Sequence, residues 1–164
     1  MFNHSSPYER VTAWTDVLMG LLAGFIAFQL SQISSLKFTV WIWAFGLLAI
    51  SAFLGAVAHG YEMTRKTNDR LWMPINLSLG LALGLFVVGA LFDLSCEAIA
   101  RMALPVMLAI GFGFFLITVW KPGTFMTFIA YEAIAMLFAL GVYVYLLFTS
   151  SLAGAGWMVT GVLV

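Results

Sequence analysis

Residues 71–92 read LWMPINLSLGLALGLFVVGALF, an unbroken run without a charged side chain. As an α-helix such a run is ~33 Å long, enough to cross a hydrocarbon core of ~30 Å. The same reading recurs on either side of it: Val11 to Leu30, Phe38 to about Met63, Ile99 to Trp120, and Phe125 to Phe148. Polar punctuation separates the runs at Ser31 to Lys37, at Arg65 to Arg70, and at Lys121-Pro122-Gly123, where proline cannot continue the hydrogen-bonded ladder and glycine opens the turn. Ser151 to Val164 begins a sixth run, which is short of a crossing. It is read either as a partial span or as the start of one in a longer chain. The fold predicted for residues 1–164 is therefore one all-α domain, a polytopic transmembrane helical bundle of about six spans or a truncated seven-helix bundle.

Composition agrees with lipid as the solvent. Apolar residues make up 63% of the chain and charged residues 9%, against about a quarter charged in an ordinary soluble domain. Zero formal net charge leaves no basic stripe for phosphates, which excludes nucleic acid as the main partner. The partners expected are membrane lipids and protein subunits docking through helix faces. Cys96 is the single cysteine, so no internal disulfide forms. The polar segment Met1 to Arg10 lacks the charged n-region and cleavage site of a signal peptide and reads as mature sequence.

Alternating spans put Arg10, Arg65, Lys66, Arg70 and Lys121 on one side and Lys37 and Arg101 on the other. The positive-inside rule then predicts a multi-pass protein with a cytoplasmic N-terminus. The tryptophans lie mostly near span ends, as an interfacial aromatic belt requires. Gly20 with Gly24, and Gly80 with Gly84, put small residues on one helix face and permit close helix packing.

An ionisable group inside a span costs about 2.5–3.5 kcal/mol and usually faces the bundle interior. Asp16 is ~8 Å in from the inner end of the first run, and His59 is at a similar depth in the second. Asn76 lies one to two turns into the third run and Glu132 about two turns into the fifth. Four helices are thus expected to bring polar side chains to one layer, where a metal or proton site can form. Asp93, Glu97 and Arg101, near the opposite interface, read as a solvated cluster. Phosphate loops, Cys-x-x-Cys pairs and nucleophile elbows are missing, and no lysine lies deep in a span to carry a retinal-type pigment. His59 and His4 are the two histidines, so a zinc site with three protein ligands needs carboxylates as well.

Gly55-Ala56-Val57-Ala58-His59-Gly60-Tyr61-Glu62-Met63, followed by Asn68-Asp69-Arg70-Leu71-Trp72-Met73-Pro74, resembles the core of the alkaline ceramidases and their wider superfamily of seven-helix membrane hydrolases. The resemblance covers roughly residues 11–80. It implies that His59 is a zinc ligand, that Asp69 is the aspartate ahead of the third span, and that Trp14-Thr15-Asp16 matches the polar start of the first span. It also implies an activity, cleavage of a lipid amide by zinc-activated water. Gly55 stands where that family has serine, and no His-x-x-x-His pair is present.

Three functions follow as expectations. The first is a zinc-dependent lipid amide hydrolase in which His59 binds metal, Asp69 or Asp16 orients or deprotonates water, and Glu132 is a second carboxylate. The second is a non-catalytic accessory subunit or lipid-binding module. The third is a small proton-coupled transporter using Glu132 and His59.

Overall fold

A computed structural model describes residues 6–121, 125–149 and 151–163. Among these residues there are six helices and no β-strand: α1 (Pro7–Leu30), α2 (Leu36–Gly60), α3 (Arg65–Asp93), α4 (Glu97–Trp120), α5 (Phe125–Phe148) and α6 (Ala155–Leu163). The first five are long and apolar enough to cross a membrane. The sixth has nine residues. At ~14 Å, these nine residues are short of a crossing.

Cap chemistry explains where the helices begin, and it moves three expected boundaries. Ser6 and Glu9 form a capping box around Pro7, so α1 starts a turn ahead of the apolar run at Val11. Ser35 accepts from the Phe38 amide and starts α2 at Leu36. Thr64 accepts from the Thr67 amide at 3.3 Å, and the polar stretch Arg65 to Arg70, expected as a loop, becomes the first turns of α3. Helix α2 closes at Gly60 rather than Met63, because Tyr61 takes an extended backbone.

Helix α3 is the axis of the assembly. It packs against α2, α4 and α5, while α1 rests on α2 and α6 on α5. Of its apolar window 61% is buried, against 11% for α1 and for α4. The α3–α4 contact is glycine-built: a Cβ placed on Gly80 would lie 2.6 Å from the Gly111 carbonyl oxygen, and one on Gly84 would lie 2.7 Å from that of Met107. The Gly80/Gly84 spacing therefore does serve close packing. Trp41 of α2 fills the notch at Gly89 and meets Phe86 edge-on at 5.3 Å. Helix α5 runs parallel to α3. The Tyr131 hydroxyl donates to the Gly80 carbonyl at 3.2 Å, and further along the Tyr143 hydroxyl donates to Asp93 Oδ2 at 2.9 Å.

Candidate functional site

The α1–α2 hairpin fixes the candidate site. Ala13 faces Gly60, Gly20 faces Phe53 and Gly24 faces Ala49, an antiparallel register that sets Asp16 against Gly55. A Cβ on Gly55 would lie 3.1 Å from Asp16 Oδ2. The missing side chain is what gives the carboxylate its place. Asp16 lies within electrostatic reach of His59, one turn further along α2. The His59 ring in turn meets Trp72 of α3 edge-on, with centroids 5.8 Å apart. Three helices thus converge on an imidazole and a carboxylate, both half-buried, at the end of the bundle where α2 closes and α3 opens.

The other expected members relate to this pair in different ways. Asp69 is exposed on α3, and among the described residues no salt bridge joins it to His59. Asn76 is half-buried one turn beyond Trp72, level with Gly55 in the antiparallel register that sets Trp41 on Gly89 and His59 on Trp72. Glu132 is half-buried on α5, next to Tyr131. Because Tyr131 is level with Gly80, Glu132 sits ~12 Å further along the α3 axis than Trp72. By this register Asp16, His59 and Asn76 are level within about one turn, and Glu132 lies about one further turn along the α3 axis. His59 itself is in the last turn of α2. His4 lies outside the described residues.

Among the described residues no three His, Cys, Asp or Glu side chains lie together as a metal-holding group. Asp16 and His59 offer two donors, and a catalytic zinc takes about three from protein. The described residues do not complete the zinc site that the ceramidase resemblance implies.

A second polar cluster lies at the opposite end. Lys37 Nζ is 2.6 Å from Asp93 Oδ1, and Tyr143 holds the other carboxylate oxygen. The Asp93 side chain is only 9% exposed, so it does not belong to a solvated cluster with Glu97 and Arg101. Those two form an exposed i,i+4 pair of their own. The sequence signal for the clamp was weak: a lysine and an aspartate at two span ends on one side, and a tyrosine deep in an apolar helix.

A family model, described as a family of unknown function (DUF6962), matches residues 11–164. The chain belongs to that family. The matched region of this DUF6962 chain contains Asp16, Gly55, His59, Trp72 and the Lys37–Asp93–Tyr143 clamp. No curated protein and no solved structure matches the chain significantly.

Proposed function

We propose that this membrane protein is a hydrolase of a lipid amide or related acyl bond, with Asp16 and His59 as its working pair. The observation that supports this reading is the Asp16–Gly55–His59 arrangement: two ionisable side chains from different helices brought together where one helix has given up its side chain to make room. Ionisable groups inside spans are costly enough to count as functional by default. His59 lies in the last turn of α2, and a helix end of this kind suits a substrate whose polar group is at the membrane boundary.

In this reading Asp16 orients the imidazole, and His59 takes the proton from the water that attacks the lipid carbonyl, then gives it to the leaving amine or alcohol as the C–N or C–O bond breaks and the fatty acid is released. Base catalysis of this kind contributes roughly 10²–10⁴-fold. The test is release of fatty acid from ceramide in mixed micelles by the purified protein. Release that falls by at least about 100-fold in His59→Ala and in Asp16→Asn supports the reading; release unaffected by His59→Ala overturns it.

One observation favours a second reading, a lipid-binding module or accessory subunit without turnover: among the described residues the site supplies two metal donors rather than three. Purification in mild detergent that yields a stable partner, with no fatty acid released, would select it. The proton-coupled carrier reading needs a link between Glu132 and His59, and the helix register holds the two apart.

A further inference from the structure

The opening turns of α3 carry their charges on two different rows. Asp69 stands four residues from Arg65 and three from Lys66, so one carboxylate is set beside the three cations Arg65, Lys66 and Arg70, a net excess of positive charge in these turns. Lys66 and Arg70, four residues apart, share one row, where like charges repel. Both side chains are exposed and neither makes a salt bridge among the described residues. The same row continues to Met73, which is exposed, and Leu77, which is half-buried. Arg70 is also the last charged residue before the apolar run from Leu71 to Phe92. One face of α3 therefore presents two unpaired cations at the boundary of the apolar segment and an uncovered apolar strip directly beneath them.

We infer that this face holds an anionic phospholipid, with the headgroup phosphate between Lys66 and Arg70 and an acyl chain along Met73 and Leu77. Charge complementarity selects the occupant. An anion placed between the cations turns their repulsion into attraction, and a covalently attached acyl chain covers the strip that a free anion leaves bare. A neutral phospholipid fits the strip but adds no net charge to balance the pair. The inference rests on α3 crossing a membrane and is independent of the hydrolase reading.

The experiment uses the delipidated full chain in detergent, offered equal amounts of phosphatidylglycerol and phosphatidylcholine, with bound lipid counted by native mass spectrometry. A preference of about 5-fold or more for phosphatidylglycerol is expected, since each basic residue at a membrane surface contributes about that factor. Lys66→Gln with Arg70→Gln should abolish the preference, Lys66→Arg should keep it, and Arg65→Gln should leave most of it intact. These side chains are exposed, and the circular dichroism of each variant checks that its helices are retained. Equal binding of the two lipids, or a preference that survives the double variant, overturns the assignment. Loss of the preference on adding millimolar inorganic phosphate at constant ionic strength overturns it as well, in favour of a free-anion site.

Discussion

Lys37 Nζ lies 2.6 Å from Asp93 Oδ1 and joins the first turn of α2 to the last residue of α3. The Glu97–Arg101 pair is equally short at 2.6 Å, but burial separates the two. The Asp93 side chain is 9% exposed and that of Glu97 is 64% exposed. Water and salt screen the second pair, and its partners lie on one helix, so breaking it frees no other element. The first ties two helices together, and Tyr143 brings in a third.

Replacing Lys37 by methionine is expected to destabilise the protein by about 2 kcal/mol. That is below the roughly 3–5 kcal/mol of a fully buried pair, because Lys37 itself is a third exposed. Arg101→Ala should cost less than about 0.5 kcal/mol. Thermal unfolding of the two variants in one detergent compares them directly. Equal losses would mean that burial does not decide the difference.

The two tyrosine hydrogen bonds of α5 should also differ. Tyr131 donates to a neutral backbone carbonyl, whereas Tyr143 donates to a carboxylate. Tyr131→Phe is expected to cost about 1 kcal/mol and Tyr143→Phe about 1.5–3 kcal/mol. Unfolding measurements that rank them the other way would show that Asp93 finds another partner when Tyr143 is removed.

Gly80 tests the α3–α4 contact. An alanine methyl there would lie 2.6 Å from a backbone oxygen, and backbone cannot swing aside as a side chain can. Gly80→Ala should therefore cost about 2–3 kcal/mol as the helices separate. Gly113 on α4 has nothing within 4 Å, so Gly113→Ala should be neutral or stabilising by up to about 1 kcal/mol through helix propensity. Similar unfolding temperatures for the two variants would remove the close-approach argument.

The long helices were legible because lipid imposes a simple rule: each run between Val11 and Phe148 had to close its own backbone hydrogen bonds. Their ends were not legible from hydropathy, since Ser6 and Thr64 extend α1 and α3 into polar sequence by local hydrogen bonds that an apolar count ignores. The candidate site was half legible. Asp16 and His59 stood out as ionisable residues in apolar runs, and the α1–α2 register sets them within electrostatic reach of each other. Glu132 stood out equally, yet its place is set by the parallel register of α5 on α3, a long-range relation that no local pattern carries. The place of Asp93 is hidden from the sequence for the same reason. Its neighbours in sequence are the solvated Glu97 and Arg101, whereas its neighbours in space are Lys37 and Tyr143.

Gly55 links packing to the proposed chemistry. An alanine methyl at that position would lie 3.1 Å from Asp16 Oδ2, so the carboxylate must give way by a few tenths of an ångström. Such a shift costs little stability, under about 1 kcal/mol, because a side chain end can move and alanine restores helix propensity. Its effect on turnover is expected to be larger, since a misplaced orienting group degrades proton transfer: fatty acid release should fall by roughly 10-fold while unfolding stays close to the parent. Gly46 on the same helix has nothing within 4 Å, and Gly46→Ala should leave both quantities near the parent values. A Gly55→Ala protein with full activity would mean that Asp16 does not act through the gap in α2. Equal losses in the Gly46 and Gly55 variants would point to α2 as a whole rather than to this one position.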